Sequence, residues 1–254
     1  MHPLAPHIET RGLRKAFGDQ PPVLDGLDLV VEPGRIIALL GASGCGKSTL
    51  LRLIAGTLPL SGGAILFNGE AQAERPETAF IFQDPVLLPW LDTLHNISLP
   101  LRLRGMAAHE RREIATERAC RVGLGEALGR YPDELSGGMR MRASLARALT
   151  FSPGLMLLDE PFGALDAITR NRLNEELLAL HARERWTTFF VTHSVTEAVF
   201  LADRVVILGG SPARVVDVVE IAFAQARSAS LRTQIAYQQA VAETTARLYA
   251  VLPA

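Results

Sequence analysis

One octapeptide restricts this chain more than any other feature. Gly41-Ala42-Ser43-Gly44-Cys45-Gly46-Lys47-Ser48 satisfies every fixed position of the pattern G-x-x-x-x-G-K-[ST]. It follows directly on the apolar run Arg35-Ile36-Ile37-Ala38-Leu39-Leu40, and from Lys47 to Gly56 the leucines and isoleucine recur at helical spacing. A strand buried on both faces, a glycine-rich loop and a helix, in that order, are the setting in which such a loop cradles phosphates. The glycines let the backbone turn tightly and aim successive N–H groups at an anion, and the helix adds its positive end. Lys47 supplies a mobile charge for the β and γ phosphates, and Ser48 offers a hydroxyl to Mg²⁺.

The rest of the chain is read around that unit. Residues 8–33 carry short apolar alternations broken by Gly12, Gly18, Pro21-Pro22, Gly26 and Pro33-Gly34, the pattern of a small antiparallel sheet. Ile65-Leu66-Phe67 followed by Asn68-Gly69 reads as a strand entering a tight turn. Leu155-Met156-Leu157-Leu158, Thr187-Thr188-Phe189-Phe190-Val191 and Val205-Val206-Ile207-Leu208 are three further buried strands. Residues 84–152 differ in character, with helical periodicity and many arginines, and the segment from 222 onward is rich in alanine. The expected fold class is α/β: a P-loop NTPase core with a mostly parallel sheet, an N-terminal antiparallel β subdomain and an inserted helical lobe. In this reading residues 1–254 form a single domain, with the core at 8–83 and 153–221, the lobe at 84–152 and a helical tail at 222–254 that can pack back on the body.

A phosphate loop needs a second acid to hold the metal. The strand 155–158 runs into Asp159, which would project at the carboxyl edge of the sheet, where ligands collect in open α/β folds. Glu160, one residue on, is placed to act as general base toward an attacking water.

Composition excludes several classes. Lys and Arg number 26 against 27 Asp and Glu, a net charge of −1, which argues against a generally basic nucleic-acid binder. Two cysteines, Cys45 and Cys120, exclude a disulfide framework. No apolar run approaches the roughly 20 residues of a membrane span. The start, Met1-His2-Pro3-Leu4-Ala5-Pro6, lacks the charged and apolar regions of a secretory leader, so an intracellular protein is expected.

With these residues in place the chain resembles the ATPase subunit of an ABC transporter, and further motifs follow in order. Leu135-Ser136-Gly137-Gly138-Met139 resembles the family's signature, Gln83 its Q-loop, Gly163-Ala164-Leu165-Asp166 its D-loop and His193 its switch histidine. The wording is most similar to the nitrate, sulfonate and taurine importer ATPases, through Met139 and Leu88-Pro89-Trp90. The resemblance, which covers about residues 8–210, implies ATP and Mg²⁺ as cofactors. It makes Gly41, Ala42, Ser43, Gly44, Cys45, Gly46, Lys47, Ser48 and Thr49 nucleotide-binding, and Ser48, Gln83 and Asp159 metal-binding. Glu160 and His193 become catalytic, Phe17 an adenine-stacking ring, and Ser136, Gly137, Gly138 and Asp166 parts of the nucleotide site. The signature of one copy would close over the ATP of another, so a homodimer, or a pair with a paralogous ATPase, is implied. Two transmembrane permease subunits, an indirectly linked periplasmic or extracellular solute-binding protein and no nucleic acid complete the implied partners. The implied location is peripheral, on the cytoplasmic face of the inner membrane.

Departures from the family pattern are Met139 and Met141 for the usual glutamines, Ser194 after His193 where Asp is common, and Ala42 where Pro is frequent. None removes a catalytic group. Three readings stay open at this stage. Phe17 is either a stacking ring or a core residue. Asp84–Leu91 either plugs the lobe's own core or receives a helix of a membrane subunit. The whole is either an importer motor, a soluble ABC ATPase of translation or repair, or a nucleotide-binding regulator. Cys45, inside the phosphate loop beside Lys47, is expected to react with thiol reagents.

Overall fold

The computed structural model describes residues 5–71, 74–223 and 227–251. The chain opens with β1 (Ile8–Lys15) and β2 (Leu24–Val31), an antiparallel pair in which Ile8 faces Val31 and Thr10 faces Leu29. Then come β3 (Ile36–Leu40), α1 (Lys47–Ala55) and β4 (Gly62–Phe67), which returns to pair with β1 and completes a three-stranded sheet of order β2-β1-β4. The antiparallel subdomain therefore draws its third strand from beyond the phosphate loop.

The second sheet has six strands. These are β5 (Thr78–Ile81), β6 (Leu155–Asp159), β7 (Thr187–Val191), β3, β8 (Arg204–Gly209) and β9 (Arg214–Glu220), in that spatial order. Every neighbouring pair is parallel except β8 with β9. The mostly parallel core is as expected; β9, an antiparallel edge strand, is an addition. Its residues alternate between exposed and half-buried over Arg214–Val218, so it carries no continuous apolar run to announce itself.

Strand periodicity divides the core in two. Ile36, Ala38 and Leu40 of β3 join Met156 and Leu158 of β6, Phe190 of β7 and Val205 and Ile207 of β8 in one cluster. Ile37, Leu39, Leu155, Leu157, Phe189, Val191, Val206 and Leu208 point the other way into a second cluster. The second cluster is closed by Leu50, Leu51, Leu53 and Ile54 of α1 and by Leu13, Leu27 and Ile65 of the antiparallel sheet. The first is closed by helices. Because β3, β6, β7 and β8 are covered on both faces, their sequences are largely apolar runs.

Between β5 and β6 lie α2 (Thr93–Leu103), α3 (Ala108–Arg121) and α4 (Gly137–Ala148). Leu94, Ile97, Ala115, Ala119, Met141 and Leu145 from this lobe are continuous with Ile81 and Met156 of the sheet in one buried cluster. α5 (Ala167–Glu184) and α6 (Val195–Leu201) follow β6 and β7. α7 (Ile235–Val251) packs back beside α6, where the buried Tyr237 hydroxyl donates to the Thr196 carbonyl at 2.8 Å. The tail is α-helical from Ile235, not from residue 222. Ala229–Thr233 forms only a tight 3-10 turn among serines and threonines, whose side chains compete for backbone groups. Residues 224–226 and 252–254 of that expected tail lie outside the described residues. Among the described residues no helix is long and apolar enough to cross a membrane.

Candidate functional site

Parallel strands place their carboxyl ends along one edge, and the loops after β3, β6 and β7 meet there. Gly46 is the N-cap of α1 at φ 102°, a conformation that strains any L side chain. A Cβ at Gly46 would also lie 2.8 Å from Leu24 Cδ2 and 2.9 Å from Val23 Cγ1, so the entry to β2 presses against the loop. No side chain caps α1 and its first turn holds no acid, which leaves its leading amides for an anion. Lys47 is only 6% exposed; its ammonium donates to the carbonyls of Gly41 (2.9 Å) and Ala42 (2.8 Å). The charge is thus folded back on the loop it serves.

The hydroxyl of Ser48 donates to Asp159 Oδ1 at 2.8 Å, joining α1 to the end of β6. Burial raises the Asp159 carboxyl above its ordinary value and Glu160 adds to the rise, while the Ser48 hydrogen bond, Arg52 and Lys47 oppose it. Glu160 itself sits at φ 48°, in the left-handed region that non-glycine residues rarely adopt. Its backbone is held from both sides, its N–H by the Val191 carbonyl at 3.0 Å and its carbonyl by the Gly163 N–H at 3.1 Å. From there its Oε2 lies 3.1 Å from His193 Nδ1. The carboxylate only accepts, so Nδ1 carries the proton. This contact supplies the histidine with the partner that Ser194 does not; the Ser194 side chain instead caps α6 by accepting the Glu197 N–H at 3.3 Å. A Cβ on Gly163 would stand 3.4 Å from Gln83 Nε2 and 3.7 Å from Glu160 Oε2, so Gln83 reaches the same place.

Other expected residues stand apart. Ser136 caps α4 by accepting the Met139 N–H at 3.3 Å, and Gly138 packs so closely on α5 that a Cβ would lie 2.8 Å from Thr169 Cγ2. Among the described residues no hydrogen bond ties Ser136, Gly137 or Gly138 to residues 41–49. Asp166 accepts from the Ile168 and Thr169 amides at 3.0 Å each, and those bonds hold its carboxyl below the ordinary value. Within one chain Asp166 is therefore a helix cap. Phe17 is 42% exposed with the Lys15 ammonium 4.9 Å from its ring centroid, so it is not a core residue. Met141 is buried in the lobe, where a thioether fits and a glutamine would need partners.

Two residues near the site were not foreseen. Asn96, fully buried, accepts the Leu88 N–H and donates to the carbonyls of Leu88, Leu91 and Asp92. Arg147 of α4 donates to the carbonyls of Pro85 (2.8 Å) and Val86 (2.9 Å). Together they shape the segment after Gln83. Nothing in the spacing of one asparagine and one arginine could have revealed this. Within that segment Leu87 packs on the core, whereas Val86 and Trp90 are exposed, Trp90 at 69%, so it does not lie wholly in the lobe's core.

Cys45 is half-buried, with Sγ 3.9 Å from the Lys47 ammonium, and Cys120 is exposed. An alkyl group on Cys45 would stand in the loop that must wrap the phosphates. Treatment with a small alkylating reagent is expected to abolish phosphate release, and MgATP is expected to protect. Mass spectrometry of the modified protein decides the point, since activity lost with Cys120 alkylated and Cys45 intact refutes it.

A phosphate loop at the carboxyl edge of a parallel sheet, its hydroxyl bonded to the acid that ends β6, two strands away from β3, defines a P-loop nucleoside triphosphatase. The sequence model of the family described as ABC transporter matches residues 24–163. The taurine import ATP-binding protein TauB of Chromobacterium violaceum is 46% identical over 200 residues, 78% of this chain and 77% of that protein. The nitrate import ATP-binding protein NrtD of Synechococcus elongatus is 43% identical over 208 residues, 80% of this chain and 76% of that protein. Among solved structures, the dimeric ATP-binding cassette MJ0796 in a post-hydrolysis state bound to ADP and Pi covers 85% of this chain and 99% of its own, at 26% identity and TM-score 0.73. The chain belongs to the ABC transporter family, as an ATP-binding ATPase subunit.

Proposed function

We propose that this chain is the motor of a solute importer of the nitrate, sulfonate and taurine type. It hydrolyses ATP as a dimer, with itself or with a paralogous ATPase, on the cytoplasmic face of the inner membrane and against two separate permease subunits. A solute-binding protein outside the membrane acts with it only indirectly. The observation that carries the reading is the pairing at the end of β6, with Asp159 bonded to Ser48 and Glu160 bonded to His193. Relatives named as taurine and nitrate import proteins support the transport class. The exposed Phe82, Val86 and Trp90 around Gln83 give a permease helix an apolar surface to meet.

In this reading the amides from Gly41 to Thr49 and the Lys47 ammonium hold the β and γ phosphates, and Phe17 lies under the adenine. The Ser48 hydroxyl and the Asp159 carboxylate suit magnesium as oxygen donors, and Gln83 would supply its amide oxygen as a further one. Bound Mg²⁺ would neutralise charge on the phosphate oxygens. Glu160 takes the proton of the attacking water, and His193 holds Glu160 through Nδ1, which leaves its other nitrogen for the γ phosphate. The amides behind Ser136, Gly137 and Gly138, far along the chain from Lys47, complete the site of the partner copy, and Asp166 lies at the seam.

The dimer is tested by light scattering. A protein carrying Glu160→Gln is expected to be monomeric without nucleotide and dimeric in MgATP, burying about 1,200–2,000 Å² or somewhat more. Adding Ser136→Arg should leave ATP binding intact and the protein monomeric. Dimerisation indifferent to Ser136→Arg would reduce the signature segment to a helix cap.

A further inference from the structure

The loops on either side of Glu160 are joined underneath by a charge pair, a buried carboxylate and a half-buried guanidinium, that the reading above does not use. Arg170, in the first turns of α5, donates to the carbonyls of Phe162 (3.2 Å), Gly163 (3.3 Å) and Leu165 (2.7 Å). That loop carries Gly163, which lies against both Gln83 and Glu160. The Arg170 Nε also lies 3.9 Å from Oε1 of Glu197, a residue of α6 that is only 5% exposed. Among the described residues that oxygen has no hydrogen-bond partner, so the guanidinium is the cation that faces it. The other oxygen, Oε2, accepts the Thr192 hydroxyl at 2.6 Å. Thr192 Oγ1 in turn accepts the Ser194 N–H at 3.0 Å, and the Ser194 hydroxyl accepts the Glu197 N–H. His193 is therefore the apex of a small closed turn whose base is the Glu197 carboxylate.

We propose that Arg170 and Glu197 are positioning residues that fix the separation of Glu160 and His193 by locking the 162–165 loop to the turn of residues 192–194. Leaving a buried carboxylate without its counter-charge costs more than the pair contributes, so loss of either partner forces the loops to rearrange. A rearrangement of about 1 Å in a catalytic contact costs on the order of 10²-fold in rate. The phosphate loop shares none of these bonds, so nucleotide affinity should not follow. The inference rests on Glu160 and His193 being the hydrolytic pair.

Turnover at saturating MgATP and the dissociation constant of a fluorescent ATP analogue are to be measured for Glu197→Gln, Arg170→Gln and their combination. Glu197→Gln keeps an acceptor for Thr192 and removes only the charge. Each single change is expected to lower kcat about ten- to hundredfold, with affinity altered less than about twofold, and the double variant should be no slower than the worse single one. Effects that multiply in the double variant, or kcat unchanged in either single one, would overturn the proposal. Should Arg170→Gln fail to fold, Thr192→Val and Thr192→Ser decide instead: the first should reproduce the Glu197→Gln loss and the second restore turnover, and full turnover by Thr192→Val counts against the lock. Glu160→Gln run alongside separates the two levels. If it turns over normally, the hydrolytic assignment fails; if it is inactive while Glu197→Gln is fully active, only the lock fails.

Discussion

Glu160→Gln is expected to lower ATP turnover by about 10²–10⁴-fold, the usual worth of a general base, while ATP still binds. The amide keeps the size of the carboxylate and can keep a contact with His193, but it cannot take a proton from water. Nothing in the phosphate loop touches Glu160 by hydrogen bond, since the Lys47 ammonium is held by Gly41 and Ala42 and Ser48 by Asp159. Binding and chemistry are therefore separable at this residue. Phosphate release measured beside nucleotide affinity checks both halves. A variant that hydrolyses ATP at the wild-type rate would remove Glu160 from the mechanism.

Lys47→Ala is expected to act at the earlier stage. The side chain is buried and carries the loop's only cation, so its loss takes a charge-assisted contact from the β and γ phosphates. Truncating one partner of a buried, hydrogen-bonded charge pair costs about 2–5 kcal/mol, which predicts ATP affinity lower by roughly 30- to several-thousandfold. The change also leaves the carbonyls of Gly41 and Ala42 without their donor, which loosens the loop before any ligand arrives. Isothermal titration with MgATP measures the loss. Equal affinity in the two proteins would mean that the phosphates lie elsewhere.

Those two residues could be read from sequence because their chemistry is local. Lys47 belongs to an octapeptide between a strand and a helix, and Glu160 follows a run of apolar residues that can only be a buried strand. The same logic found β3, β6, β7 and β8, whose burial on both faces writes itself as uninterrupted apolar sequence. It missed β9, where pairs of valines lie between Arg214, Asp217 and Glu220. It also carried the tail helix too far toward the N-terminus, across serines that prefer turns. Within the site, the φ of 48° at Glu160 and the meeting of Glu160 with His193 come from tertiary structure. Arg147, Arg170 and Glu197 were illegible for the same reason: each acts on backbone groups or a counter-charge brought close only by the fold. Phe17 and Asp166 were found by resemblance, and the structure assigns each an intrachain setting of its own, one exposed over Lys15 and one capping α5.

The two bonds from Arg147 to Pro85 and Val86 have a mechanical consequence. One end of α4 begins at Ser136, and near its other end this half-buried guanidinium grips the strand-exit segment that follows Gln83. α4 is thus a lever with a handle at each end and a rigid shaft of twelve residues between them. Any shift of the Pro85–Val86 backbone therefore meets the far end of the helix that Ser136 caps, and Trp90 stands exposed on the same segment.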